Sequence, residues 1–374
     1  MVGFTASAGG ESKPADTSDD AGFEPAYMKL LDTGELKERA RRAEQRLGDC
    51  DLCARYCRVD RRTSIRGSAC RTGEDAVVHS FGPHHGEEDC LRGWAGSGTI
   101  FFSWCNLRCL YCQNWEISWK GEGREVTSLQ LARAMLDLQQ MGCHNINLVS
   151  PSHVVAQILA AVAIAAERGL RLPFVYNTGG YDSLEALALL DGVIDIYMPD
   201  MKYGDAALAR KYSHVRDYVR FNQAAVREMH RQVGDLVLDD QGIARRGLLV
   251  RHLVLPDGIA GTAAVSKFLA EEISPGTYVN LMDQYRPCYR AGDFPELSRS
   301  ITAAEYEEAL AVARRYGIWR LDRRAAEGPS LVVTPSASAA GAAGRMPAFK
   351  GDRPRSAEWR RLTKVGRDGC RGTG

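Results

Sequence analysis

Seven of the eleven cysteines in this chain fall into two tight groups, and no other feature constrains the fold as much. Cys50, Cys53, Cys57 and Cys70 form the first group, and Cys105, Cys109 and Cys112 the second. Cys90, Cys143, Cys288 and Cys370 stand alone and read as small buried apolar residues. Residues 1–20 show no basic start followed by an apolar block, so no secretory signal is read and a cytoplasmic location is expected. Thiols stay reduced there, and grouped cysteines then point to metal ligation or catalysis rather than to disulfides. A formal net charge of +1 gives no reason to expect nucleic acid or an acidic membrane as partner. The most apolar stretch, 154–166, is interrupted by Gln157 and falls short of a bilayer span.

The rest of the chain divides by pattern. Residues 1–24 carry few large apolar groups and read as a disordered leader. Residues 27–47 read as one amphipathic helix, with Leu30, Leu31, Leu36, Ala40 and Leu47 near one face. Residues 48–96 are irregular and rich in Gly, Cys, His and Arg, as expected of a segment held by a metal. Beyond Gly98, short apolar runs at 99–102, 145–149, 173–176, 194–198, 248–255 and 278–282 alternate with helical patterns at 128–141, 154–168, 183–190, 218–233 and 262–273. That alternation predicts βα units around a parallel sheet: an α/β protein built as a partial (βα)6 TIM-like barrel, its function at the carboxyl ends of the strands. A last helix is read at 302–316. The expected units are a leader (1–24), a helix plus four-cysteine metal module (25–96), the partial barrel (97–322) and a disordered basic tail (323–374). The tail carries nine Lys or Arg against three Asp or Glu between Arg345 and Arg371, with only Phe349 and Trp359 for stacking.

Cys105-Asn-Leu-Arg-Cys109-Leu-Tyr-Cys112 follows the first barrel strand directly. Three thiolates at these spacings can converge from one loop on a four-iron cubane, leaving one iron open to a small chelating molecule. A zinc knuckle is the alternative, but zinc takes a fourth protein ligand and no Cys or His follows closely. On this motif the chain resembles the radical S-adenosylmethionine (SAM) superfamily, and within it the pyruvate formate-lyase activating enzymes and their uncharacterised homologues. The likeness runs over about residues 27–320 and is carried by 50–70, 97–114, 145–153, 176–181, 197–203, 246–256 and 280–287.

The resemblance implies that Cys105, Cys109 and Cys112 hold a [4Fe-4S] cluster whose open iron binds the amino and carboxylate groups of SAM. Reductive cleavage would give methionine and a 5′-deoxyadenosyl radical that abstracts a hydrogen atom from the substrate. Tyr111 matches an aromatic near the adenine. Asn177 and Thr178 stand where the activating enzymes carry an acidic residue before a threonine. Asp200-Met201-Lys202 matches an Asp-x-Lys element that contacts cofactor and substrate, although such a pair also reads as a surface ion pair. Lys202 offers a cation to the cofactor carboxylate and Asp200 an acceptor to its amine or ribose. Arg251 matches an arginine facing the site, and burying it calls for an anion, for which the cofactor carboxylate would serve. Strand alternation turns His252 away, and Gln284 and Tyr285 fall on the rim. Where most members have a Gly-Gly-Glu turn for the cofactor amine, this chain has Ser150-Pro151-Ser152-His153. Ser150 is therefore a cofactor-binding candidate, and His153 is a proton donor, a substrate ligand or only a helix-start residue.

Cys50, Cys53, Cys57 and Cys70 suit a closed tetrahedral zinc site; an auxiliary Fe–S cluster relaying electrons is the alternative. The loop histidines His79, His84 and His85 lie just downstream. The whole reads as a radical SAM oxidoreductase served by a flavodoxin- or ferredoxin-type electron donor. The substrate would be either a glycyl-radical protein or a small molecule or peptide modified in biosynthesis. A non-catalytic Fe–S or zinc scaffold is the remaining class.

Overall fold

The structure, a computed structural model, describes residues 23–322; the expectations for the leader, the basic tail and Cys370 concern residues outside that range. Nine strands are present among the described residues: β1 (Ala76–His84), β2 (Ser97–Phe102), β3 (Arg124–Val126), β4 (Ile146–Val149), β5 (Phe174–Thr178), β6 (Ile196–Pro199), β7 (Val237–Leu238), β8 (Ala244–Leu253) and β9 (Tyr278–Met282). β2, β4, β5, β6, β8 and β9 pair in parallel in that order, giving the six-stranded partial barrel expected. The sheet does not close. β1 lies antiparallel on the free edge of β2 and carries β3 on its other side. The short β7 lies antiparallel on β8.

Helices on the outer face bury the alternate residues of each strand, so Ile146, Leu148, Phe174, Tyr176 and Tyr197 enter one large core. The helix Ser128–Gln140 starts at Thr127, which forms a capping box with Gln130. The helix Val155–Glu167 is apolar nearly all round because the amino-terminal helix Glu35–Gln45 covers its outer side. That accounts for the apolar run at 154–166, and no helix among the described residues is long and apolar enough to cross a membrane.

Several local expectations need correction. The helix read at 27–47 is two helices, Tyr27–Asp32 and Glu35–Gln45, separated at Gly34, whose φ of 77° lies in the left-handed region. Residues 48–96 are not wholly irregular: β1 lies in them, carries His79 and His84, and belongs to the sheet. A helix at Ala206–Ser213, not read from the sequence, follows β6 and reaches back to the cysteine loop. The helical run at 262–273 ends in a π-turn from Leu269 to Ile273. Cys90, Cys143 and Cys288 are buried, as lone cysteines are expected to be.

Candidate active site at the carboxyl end of the barrel

β2 ends at Phe102, and the chain turns through Trp104, at a φ of 65°, into the loop bearing Cys105, Cys109 and Cys112. Each sulfur has its own hydrogen-bonding neighbour. The Leu107 N–H donates to Cys105 Sγ at 3.4 Å, Ser213 Oγ donates to Cys109 Sγ at 3.0 Å, and Ser118 Oγ lies 3.1 Å from Cys112 Sγ. Trp119 Nε1 donates to the Cys109 carbonyl at 3.0 Å, and the Arg108 guanidinium lies over the rings of Trp104 and Trp119. Burial pushes the free thiols up, Cys105 to about 11 and Cys112 to about 12, so it is metal binding that would make them thiolates. Three sulfurs from one loop, each beside a donor, fit a [4Fe-4S] cluster with one iron free of protein ligands. Among the described residues no three His, Cys, Asp or Glu side chains, the cysteines of either group included, already stand in the geometry of a bound metal ion, so binding would draw the sulfurs together.

Beside this loop stands a compact charge array. Asp200 follows β6 and bridges in register to Arg251 of β8. Arg251 Nε donates to Asp200 Oδ1 at 2.9 Å, and Lys202 Nζ to Asp200 Oδ2 at 2.5 Å. Arg251 Nη2 donates to Asn177 Oδ1 at 2.7 Å. Burial opposes ionisation of Asp200, but Arg251 and Lys202 outweigh it and hold its carboxyl below the usual range. Burial likewise opposes the charge on Lys202, and Asp200 outweighs it and raises the ammonium pKa. The pair is thus a mostly buried triad, not a surface ion pair, and the anion beside Arg251 comes from the chain itself. Lys202 keeps further N–H groups and Arg251 its Nη1 for a ligand carboxylate, so the array fits the amino-acid end of SAM.

An aromatic wall supports the array. Tyr111 is buried between Tyr203 and Tyr285, edge-on to both. Tyr218 Oη donates within a cluster of the Gly179 and Asp200 carbonyls and accepts from the Lys202 N–H. Asn222 Nδ2 bridges the Gly180 and Asp200 carbonyls at 3.0 Å each. Across the barrel, Asn280 Nδ2 of β9 donates to Glu88 Oε1 at 2.8 Å. Burial pushes the Glu88 carboxyl up while Arg251 pulls it down.

Cys105, Cys109, Cys112, Tyr111, Asn177, Asp200, Lys202 and Arg251 are therefore gathered at one end of the barrel. Thr178 is not with them: its hydroxyl donates to Asp182 at 2.7 Å and pairs with Ser152, on the outer side of β5. His153 is buried under the cysteine loop, with Nε2 donating to the Ser103 carbonyl at 3.0 Å. Burial and the nearby Arg61 depress its pKa to about 3, which suits a neutral positioning group and not a proton donor. Ser150 sits at a φ of 60° and ties β4 to β5 through its N–H and the Asn177 carbonyl. His252 faces away, toward the Met201 carbonyl and Thr262. Tyr285 is buried in the wall, and Gln284 holds the loop through its carbonyl, which accepts from Gln113. The sequence gives no sign of Ser118, Ser213 or Glu88, because each reaches the site from an element whose packing only the fold reveals.

A model of the Radical SAM superfamily matches residues 99–235. An uncharacterized protein of Methanocaldococcus jannaschii, MJ0674, is 30% identical over 279 residues, 72% of this chain and 75% of that protein. Among solved structures, HydG, a maturase of the [FeFe]-hydrogenase, is similar over 58% of this chain and 48% of its own, with 15% identity and a TM-score of 0.42. A radical SAM methyltransferase from Sphaerobacter thermophilus is similar over 59% and 64%, with 15% identity and a TM-score of 0.40. This chain thus spans about half the length of HydG.

Proposed function

Because this chain belongs to the radical SAM superfamily, we propose that it is a cytoplasmic oxidoreductase that abstracts a hydrogen atom from its substrate, supplied with electrons by a flavodoxin- or ferredoxin-type protein. The observation that carries the reading is the trio of Cys105, Cys109 and Cys112, each sulfur beside its own donor, held against the Lys202–Asp200–Arg251 array. When bound, the cluster and SAM together supply one-electron cleavage of the sulfonium C–S bond and the hydrogen-abstracting adenosyl radical. Lys202 and Arg251 would hold the cofactor carboxylate, and Asp200, fixed by both, would accept from its amine. Asn177 holds the Arg251 fork in plane. Tyr111 and its ring neighbours Tyr203 and Tyr285 form an apolar wall beside the array that would help to exclude water when the cofactor is bound.

The Glu88–Asn280 contact ties the connection after β1 to β9, and the end carrying the cysteine loop is taken as the route of access. That route suits a small molecule or a narrow peptide loop, including the glycine-bearing loop of a glycyl-radical protein. The test is 5′-deoxyadenosine formation by anaerobically reconstituted, dithionite-reduced protein given SAM. The expected result is formation by the native chain and none by Cys109→Ala; equal formation by both, or none by a chain loaded with four irons per molecule, overturns the reading.

A further inference from the structure

Residues 50–72 contain neither helix nor strand, yet Cys50, Cys53 and Cys70 are buried in them and Tyr56, Arg58 and Arg71 hold left-handed backbone conformations. None of the four cysteines is in a disulfide. The centre of the segment is occupied by a cation: Arg61 is 2% exposed. Its Nε donates to the Thr72 carbonyl at 2.8 Å, its Nη1 to the His153 carbonyl at 2.8 Å, and its Nη2 to the Gly73 carbonyl at 3.3 Å. Its remaining contact is Nη1 to Cys50 Sγ, at 3.6 Å. No carboxylate lies within ion-pair distance of it among the described residues. A buried guanidinium without an anion is costly, and carbonyl dipoles supply no net charge. Four neutral thiols supply none either. Four thiolates on a zinc ion, or on a four-iron cluster in its usual oxidised charge, present two net negative charges.

We propose that Cys50, Cys53, Cys57 and Cys70 hold a second, thiolate-bound metal centre, a zinc ion or a four-iron cluster, with Arg61 as its buried counter-cation. The centre is built into the active end of the barrel. Arg55 Nε donates to the Asn106 carbonyl at 2.7 Å and Arg55 Nη1 to the His214 carbonyl at 2.8 Å. Arg108 donates to the Ala69 carbonyl, and Asn106 Nδ2 to the Tyr181 carbonyl, which also receives the Ala54 N–H. Asn106 and Arg108 lie between the ligands Cys105 and Cys109, so the fold around the second centre sets the path of the first loop. Arg61 is a positioning residue in this arrangement and touches neither substrate nor cofactor.

The proposal stands apart from SAM cleavage, and its test does too. The full chain carrying Cys105→Ala, Cys109→Ala and Cys112→Ala is purified anaerobically and its zinc, iron and sulfide are counted. About one zinc per chain supports the zinc form, and about four irons with matching sulfide the cluster form. Adding Cys53→Ser to this variant is expected to remove either. Should the triple variant fail to fold, the native chain decides: about four irons plus one zinc, or about eight irons, support the centre. Four irons and no zinc in the native chain, or unchanged metal on adding Cys53→Ser, overturn it. Arg61→Gln is expected to weaken metal retention against a chelator about tenfold or more, with Arg61→Lys restoring part of it. Equal retention by all three removes Arg61 from the account.

Discussion

Replacing Asp200 by Asn tests whether the charge array is a buried unit. The substitution keeps the shape of the side chain but sets an amide NH2 against one of two cations, Lys202 at 2.5 Å or Arg251 at 2.9 Å. Each pair attracts with roughly 6 kcal/mol at an effective dielectric of about 20, a gross value that desolvation largely offsets. Removing one partner of a buried pair costs about 3–5 kcal/mol, because the other charge is left uncompensated. The three side chains keep 12–19% exposure, which argues for the lower end, about 3 kcal/mol. With a urea slope of about 3 kcal/mol per molar, the midpoint of unfolding should fall by about 1 M. Lys202→Gln alone should cost less, and the double variant should cost less than the sum of the two singles, since the amide that replaces the Asp200 carboxylate then faces one cation instead of two. The carboxyl is held below its unfolded value near 3.9, so its stabilisation is present above that pH and is lost as the pH falls through the lower folded value. The gap between native and variant midpoints should therefore narrow only below about pH 4. A variant midpoint equal to the native one at pH 7 would refute the buried triad.

Two further substitutions probe the scaffold. Gly180 has a φ of 73°, and a Cβ there would run into the Asp200 carbonyl and the Asn222 amide, whereas a Cβ on Gly179 meets chiefly the flexible tip of Leu107. Gly180→Ala should cost about 2–3 kcal/mol and lower Tm by about 3–5 °C, Gly179→Ala clearly less; the reverse order in a thermal melt would show the turn to be wrongly assigned. His153, depressed to about 3 from an unfolded value near 6.5, gives the native state stability above pH 6.5 that is lost as the pH falls toward 3. His153→Gln, which keeps an N–H for the Ser103 carbonyl, should flatten the stability-against-pH curve in that window by up to about 1.4 kcal/mol per pH unit, and unchanged slopes would contradict a buried neutral ring.

Both cysteine groups, the six parallel strands and most of the large helices were legible in the sequence because each rests on local spacing or period. β1 was hidden: Gly82 and Pro83 interrupt its pattern, a bulge falls between Val78 and Ser80, and its partners β2 and β3 come later in the chain. The identity of the anion beside Arg251 was also out of reach, since Asp200 meets it only through the register of β6 and β8, 51 residues apart. Thr178 is a different case. Alternation along β5 already separates it from Asn177, and the period of two, applied there as it was to His252, would have turned it outward. Glu88 carries no local signal, because its role depends on a connection folding across the open side of the barrel.

The central claim, a cluster with one iron open to SAM beside Lys202 and Arg251, is tested most directly by electron paramagnetic resonance of the reduced protein before and after SAM is added. The chain with Cys53→Ser serves as a control that isolates the signal of the Cys105–Cys112 cluster. A changed cluster spectrum on adding SAM, with a much weaker response in Arg251→Gln at the same concentration, is the expected result. A fully formed cluster whose spectrum SAM leaves unaltered would contradict the account.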